Sequence, residues 1–267
     1  MNIRVLSAFA VFVAMVALFA GTVSAASVAL VNPNFDDQSL SDGSQANLPS
    51  GWVAVYGTDA STNFVERNPT SAEFAGADGN GLLPSPAAGS QAAFNASSIG
   101  GGTGAYDIAV LDDYQGRRGP AQPLITLQAG QTYTETIAVG QGLTTPNPLG
   151  GGVWANYFDG FSILMADVTQ GGLLVNQEFD KSLNPVPGTF QDFSLTINGS
   201  DYISADPDNG PQAGDELAIG FIIGAQTYIT NVRLDVSSVP EPSSLVLVAS
   251  GLIGLLAYAW RRRAKTS

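Results

Sequence analysis

Residues 132–139 read Thr-Tyr-Thr-Glu-Thr-Ile-Ala-Val, so that two kinds of side chain alternate along the chain. Tyr133, Glu135, Ile137 and Val139 fall on one face of an extended segment, and the threonines fall on the other. A period of two is typical of a β-strand with one buried face. β-branched and aromatic residues also favour strands. The segment therefore predicts one strand of a β-rich domain.

Other runs along the chain have the same strand character, and clusters of Gly, Pro, Asn and Asp separate them. The pattern predicts an all-β fold, an antiparallel β-sandwich of the jelly-roll type, over residues 26–238. It predicts no helix there beyond a short turn near residues 71–74. The further predicted strands are the apolar run 52–56, the alternating set Phe193, Leu195 and Ile197, the apolar run 217–223, and a last strand in which Tyr228, Thr230, Val232, Leu234 and Val236 share one face.

Composition excludes several classes of function. The chain has 267 residues and contains neither Cys nor His. It therefore has no disulfide, no zinc–thiolate site, no cysteine nucleophile and no Ser-His-Asp triad. Residues 26–238 carry 22 acidic against five basic side chains, a formal net charge of −17. Nucleic-acid binding requires a basic surface, so this charge argues against it.

The N-terminal residues 1–25 have the composition of a secretory signal peptide. Arg4 supplies a positive charge, residues 5–20 are apolar, and small residues at Val23 and Ala25 suit cleavage after Ala25. The alternative is an uncleaved N-terminal membrane anchor. Because the apolar run is short for a stable span, we expect cleavage.

The C-terminal residues 239–267 form a second distinct segment. Residues 243–260 are uncharged and mostly apolar, which is near the lower limit for a transmembrane helix. Arg261, Arg262 and Arg263 follow at once, and such a basic cluster stays cytoplasmic. A buried core helix is the alternative, but such helices seldom end in a run of cations. Before this span, Pro240-Glu241-Pro242 fits neither helix nor sheet and predicts an exposed, extended segment.

This order of Pro-Glu-Pro, apolar helix and basic end resembles the PEP-CTERM sorting signal. In that family the tail is the substrate of a membrane-embedded processing enzyme, exosortase. The resemblance implies that Pro240, Glu241 and Pro242 are recognised and that the chain is cut near them. It also implies a protein anchored in the inner membrane before processing and located at the cell surface or in the extracellular matrix afterwards.

A second resemblance covers most of residues 27–236. Its motifs are VNPNFD at 31–36, LPSGW at 48–52, LQAGQTY at 127–133 and ITNVRL at 229–234. Their order is similar to that of carbohydrate-binding jelly rolls and of the hapalindole-type cyclases built on that fold. In that family an acidic residue and an Asp of the last strand help to hold a structural calcium ion. Asp36 matches the first position, but Thr230 stands at the second, so we expect weak or absent calcium binding, with Asp36 as the ligand if a site exists.

Without His, acid–base chemistry would fall to carboxyl groups or to Tyr. No recognisable catalytic motif is present, and each candidate acid is better interpreted as a solvated turn residue. We therefore expect a surface or matrix protein, or a glycan-binding module whose partner is an extracellular polysaccharide, and not an enzyme. The alternative is a carboxylate-based enzyme related to cyclases or glycosidases. The candidate acids are Asp107, Asp112, Asp113, Asp159, Asp167 and Asp180, and the candidate sugar-stacking aromatics lie at 154–158.

Overall fold

The structure is a computed structural model. It describes residues 25–47, 49–56, 64–77, 82–96, 108–113, 121–146, 153–155, 160–179, 181–206, 209–224, 226–238, 251–252 and 254–255. The predicted signal peptide, apart from Ala25, and the Pro240-Glu241-Pro242 and Arg261–Arg263 motifs lie outside these residues.

The described part of the chain is built almost entirely from β-strands, with short 3-10 helices at Lys181–Leu183 and Gly199–Asp201. The strands are β1 Ala26–Val28, β2 Gln45–Asn47, β3 Trp52–Tyr56, β4 Phe64–Arg67, β5 Ala92–Asn95, β6 Ile108–Asp112, β7 Gln131–Gln141, β8 Thr144–Pro146, β9 Val153–Ala155, β10 Phe161–Asp167, β11 Gly172–Phe179, β12 Thr189–Asn198, β13 Leu217–Ile223 and β14 Tyr228–Ser238.

The strands form two large sheets. Sheet A has the order β12-β7-β14-β5-β4-β2, with β1 paired to β14, and sheet B has the order β11-β10-β13-β6-β3. Strands β8 and β9 pair separately as a small antiparallel ribbon. Neighbours such as β7 and β12, or β10 and β13, run antiparallel. The predicted all-β antiparallel sandwich is therefore confirmed.

The main core lies between the two sheets. Tyr133 and Ile137 of β7 contribute to it from sheet A, and Ile219 and Phe221 of β13 contribute from sheet B. The first and last strands are neighbours, as expected, because β1 pairs with β14. The Val232 N–H also donates to the Pro33 carbonyl at 2.9 Å. Residues 27–236 form one compact unit by their internal contacts.

A second apolar cluster lies on the other face of sheet A. It contains Phe74, Phe94, Phe190 and Tyr228, and the Phe74 and Phe190 rings stack with centroids 4.6 Å apart. The sequence placed Tyr228 on the same face as Val232, which is wrong. Asn231 has a φ of 50°, and this residue interrupts the alternation of β14. As a result Ile229, and not Tyr228, enters the main core with Val232.

The predicted transmembrane helix at 243–260 lies almost wholly outside the described residues, of which 251–252 and 254–255 are helical. Within the part of the chain that the structure describes, no helix is both long enough and apolar enough to span a bilayer.

Candidate functional site

Two buried carboxyl groups face the main core from opposite sheets. Asp112 ends β6 and follows the period of Ile108 and Val110, so it faces inward from sheet B. Glu135 lies in the middle of β7, between the inward-facing Tyr133 and Ile137 of sheet A. Asp112 is 2% exposed and Glu135 is 0% exposed. We call Asp112 and Glu135 the acid pair.

Hydrogen bonds within the protein do little to compensate for the burial of the acid pair. None of its four carboxyl oxygens makes a well-formed hydrogen bond among the described residues, and only backbone N–H groups such as those of Ile219 and Gly220 lie near enough to favour the ionised forms. An ionised carboxylate in such surroundings is costly, so burial favours the protonated form. Burial raises the pKa of Asp112 to about 8; the Ile219 N–H opposes this rise, and the charges of Glu216 and Asp113 add to it.

The second member of the pair is shifted in the same direction. Burial raises the pKa of Glu135 well above its usual range, and the charge of Asp112 raises it further, whereas the Gly220 N–H opposes the shift. Because the charge of Asp112 acts on Glu135, ionisation of Asp112 makes the proton of Glu135 harder to remove. At neutral pH the acid pair therefore holds protons that it can donate.

Aromatic rings border the acid pair. Trp52 of β3 lies directly opposite Asp112 in the antiparallel register, where side chains are close neighbours. The Trp52 ring centroid lies 5.4 Å from that of Phe35 and 5.5 Å from that of Phe221. Phe64 joins the same group, 6.4 Å from Phe221. This aromatic cluster of Phe35, Trp52, Phe64 and Phe221 gives the acid pair an apolar boundary.

Of the six acids that the sequence singled out, only Asp112 belongs to the acid pair. Asp113 is buried beside it, with its backbone N–H on the Gly51 carbonyl at 2.8 Å. Asp167 caps a turn, since its Oδ1 accepts the N–H groups of Thr169 and Gln170 at 2.9 and 3.0 Å. Asp107, Asp159 and Asp180 lie outside the described residues.

The sequence also missed Glu135 as a site residue. It placed Glu135 on the apolar face of its strand but did not count it among the candidate acids. A lone carboxyl on a buried face was the signal that could have identified it.

A separate buried network includes Tyr228 of the second apolar cluster. We interpret this network as structural. The Arg67 guanidinium donates to Glu73 through Nε at 3.0 Å and Nη2 at 3.1 Å. The Tyr228 hydroxyl donates to the same carboxylate, and the Thr70 N–H does so at 2.8 Å. Because Glu73 is saturated with donors, it is not free to act as an acid or base.

Another buried carboxyl, Glu66, lies near the N-terminal loop. It accepts hydrogen bonds from the backbone and side-chain nitrogens of Gln38, both at 3.3 Å. Burial and the neighbouring Asp37 raise the pKa of Glu66 to about 9. Since Glu66 has hydrogen-bond partners in the loop, we assign it to the loop rather than to the acid pair.

Of the two residues that the family resemblance assigns to calcium, Thr230 offers a hydroxyl in place of a charged ligand. The Thr230 hydroxyl donates to the carbonyl oxygens of Asn34 at 3.2 Å and Ala88 at 3.1 Å. We call these three residues the terminal clasp. Asp36 is exposed beside it. Among the described residues no group of three or more Asp or Glu side chains is arranged to hold a metal.

Comparison with known proteins identifies the family. The family model of the HpiC1 cyclase matches residues 26–235. The chain belongs to the HpiC1-like family. No curated protein matches the sequence significantly.

Solved structures of cyclases have the same fold as this HpiC1-like domain. The Stig cyclase Fisc from Fischerella sp. TAU, in complex with (3Z)-3-(1-methyl-2-pyrrolidinylidene)-3H-indole, has 19% identity and a TM-score of 0.52, covering 81% of this chain and all of its own. A cyclase from Fischerella sp. TAU in complex with 4-(1H-indol-3-yl)butan-2-one has 19% identity and a TM-score of 0.50, covering 80% and 99%. A cellulose-specific carbohydrate-binding module of the CBM28 type reaches only 11% identity and a TM-score of 0.31, with 79% and 93% coverage.

The family corrects the prediction that the protein is not an enzyme. That prediction rested on the absence of His and Cys, and the cyclase match over 26–235 overturns it. The acid pair shows why the absence of His and Cys was a poor argument against an enzyme. The absence of imidazole and thiol excludes only the mechanisms that need them, whereas a carboxyl group buried to hold its proton can still donate it.

The C-terminal resemblance is confirmed. The PEP-CTERM protein-sorting motif matches residues 238–263. This HpiC1-like protein is therefore an exported protein that associates with the membrane before exosortase processes its tail.

Proposed function

We propose that residues 26–235 form an exported cyclase that uses the acid pair to start ring closure by protonating a neutral, unsaturated substrate. The observation that carries the proposal is the burial of two carboxyl groups, one from each sheet, whose oxygens make no well-formed hydrogen bond among the described residues. Such an arrangement costs stability, and groups of this kind cluster at functional sites. The cyclase family match supports the same reaction class.

The reaction needs no co-reactant. The O–H bond of one carboxyl group breaks while a C–H bond forms on the substrate, which leaves a carboxylate and a carbocation. A second π bond of the same molecule attacks the cation, so a C–C bond closes the ring. The proton lost from the cyclised cation returns to the carboxylate. The product is therefore an isomer of the substrate, and the acid is regenerated.

The two acids have different roles in this proposal. Asp112 lies at the end of β6 and next to the aromatic cluster, so it is the group nearest to an entering substrate. Glu135 lies deeper, in the middle of β7. We assign proton donation to Asp112 and assign to Glu135 the role of a second, deeper acid that stays protonated when Asp112 has given up its proton.

The aromatic cluster indicates the class of substrate. A carbocation is stabilised by the faces of aromatic rings, as other cations are. Trp52 supplies such a ring next to Asp112, and Phe35 and Phe221 extend the surface. A neutral molecule that carries an aromatic ring fits this environment. The indole-bearing ligands held by the two Fischerella cyclases belong to that class.

The test is cyclisation in heavy water. The purified protein is incubated in D2O with neutral indole-bearing alkenes, and the products are analysed by mass spectrometry. Proton donation from a solvent-exchanged carboxyl gives a ring-closed product that carries one deuterium. We expect Asp112→Asn and Glu135→Gln to lose this turnover. Asp192→Asn, at a surface ion pair with Arg233, is the matched control and should retain it.

Two results would contradict the proposal. One is turnover that survives in both acid-pair variants. The other is retention of extracellular polysaccharide by the wild type without any turnover, equal in the acid-pair variants, which would favour the glycan-binding alternative.

A further inference from the structure

The terminal clasp joins three parts of the domain that are far apart in sequence. Asn34 lies in the loop after β1, Ala88 lies in the loop before β5, and Thr230 lies in β14. Thr230 is fully buried, and its hydroxyl reaches the Asn34 and Ala88 carbonyls. Two carbonyl oxygens that converge on one point repel each other unless a donor or a cation lies between them.

We infer that the Thr230 hydroxyl takes the place of a bound cation, so that this protein closes the junction of its terminal strands without metal. An aspartate at this position, as the resemblance implies for relatives, would add charge to the carbonyl oxygens and would require a counter-ion. A hydroxyl supplies its own proton to the same oxygens and requires none. The junction is therefore neutral and complete with protein atoms alone.

One further oxygen ligand, the Asp36 carboxylate, lies close to the terminal clasp. Asp36 Oδ2 would lie only 3.0 Å from a Cβ atom on Gly89, the residue that follows Ala88. Gly89 also has a φ of +76°, so glycine both permits this backbone and leaves space for the carboxylate. The two clasp carbonyls and Asp36 are oxygen ligands of the kind that calcium prefers. What this chain lacks is the second charged ligand.

From the two clasp carbonyls and Asp36 we expect that one substitution creates a calcium site. Thr230→Asp places a carboxylate where the hydroxyl now lies, beside the clasp carbonyls and Asp36. Thr230→Val is the matched control, because it keeps the shape of threonine but removes the donor. It should lower the melting temperature without creating any response to calcium.

The experiment is thermal unfolding of the full chain in detergent micelles, in EDTA and in millimolar CaCl2. The melting temperature of the wild type should be the same with and without calcium. Thr230→Val should melt lower than the wild type, but also at the same temperature in both buffers. Thr230→Asp should melt lower in EDTA and rise by about 5–10 °C when calcium exceeds its Kd about 100-fold. The double variant Thr230→Asp/Asp36→Ala should lose that rise.

Two results overturn the inference: a calcium-dependent rise in the wild type that Asp36→Ala abolishes, or a Thr230→Asp variant that responds no more than the wild type. If Thr230→Asp folds only in calcium, its unfolding on addition of EDTA supports the inference. If it folds in neither buffer, calorimetry of wild type and Asp36→Ala decides: calcium binding that needs Asp36 overturns the inference, and equal traces support it.

Discussion

The acid pair predicts an unusual dependence of stability on pH. A carboxyl group whose pKa is higher in the folded than in the unfolded state binds its proton more tightly when folded. Between the two pKa values the folded state retains the proton and the unfolded state has lost it. Stability must therefore fall as the pH rises through this range, which is opposite to the usual behaviour of a paired carboxylate.

The size of the effect can be worked out for Asp112. Its ordinary pKa is 3.8 and burial raises it to about 8 in the folded protein. Each pH unit between these values changes the free energy of unfolding by about 1.4 kcal/mol. From pH 5 to pH 7 the contribution of Asp112 is therefore a loss of about 3 kcal/mol. Asp112→Asn cannot ionise, so the variant should lack this loss.

The assay is urea unfolding followed by tryptophan fluorescence at pH 5 and pH 7, in wild type, Asp112→Asn and the surface control Asp192→Asn. For each variant we take the change in unfolding free energy between pH 5 and pH 7, and we compare this change between variants. The contributions of other titrating groups such as Glu66 are common to the variants and cancel. We expect the wild type to lose about 3 kcal/mol more than Asp112→Asn, and Asp192→Asn to follow the wild type. Equal pH dependence in wild type and Asp112→Asn would refute the reasoning.

Three further predictions follow from the fold and the tail. Glu135→Leu replaces a buried acid that lacks well-formed hydrogen bonds with an apolar side chain. It should stabilise the protein at pH 7 by about 1–3 kcal/mol while abolishing cyclisation. If urea unfolding shows a less stable variant, Glu135 is better hydrogen-bonded than the structure indicates. Tyr228→Phe removes a donor from buried Glu73 and should destabilise by about 1–3 kcal/mol without loss of turnover, and urea unfolding with an unchanged midpoint would contradict the network. Glu241→Ala removes the only charge of the Pro-Glu-Pro segment and should leave a full-length, membrane-retained protein in an exosortase-containing host; intact mass reports this, and wild-type protein that still ends at Ser267 would contradict tail processing.

Local patterns in the sequence predicted the strands well. Strand β13 has the predicted bounds, Leu217–Ile223, and β7 extends the predicted alternation by a residue or two at each end. These strands were predictable because burial of one or both faces imposes a simple pattern. The face of Tyr228 was not predictable in this way. The positive φ of Asn231 shifts the alternation of β14, and no periodicity shows where such a bulge occurs.

The acid pair was only half accessible to sequence reasoning. The alternation places Glu135 on a buried face, but that Asp112 faces the same core from β6 of sheet B follows only from how the two sheets pack. Contacts between strands of different sheets have no local signature, so six scattered acids could not be ranked. Thr230 is the opposite case. Its departure from the expected Asp was visible in the sequence, whereas its hydrogen bonds to Asn34 and Ala88 required the fold.

The protonation state of the acid pair at neutral pH tests the proposed cyclase most directly. Infrared difference spectra between pH 5 and pH 9 distinguish a protonated carboxyl group from a carboxylate, and Asp112→Asn and Glu135→Gln assign the bands. We expect both carboxyl bands of the wild type to be those of the protonated form at pH 7, with one band missing in each variant. Spectra in which both groups are already carboxylates at pH 7 would contradict the proposed proton donor.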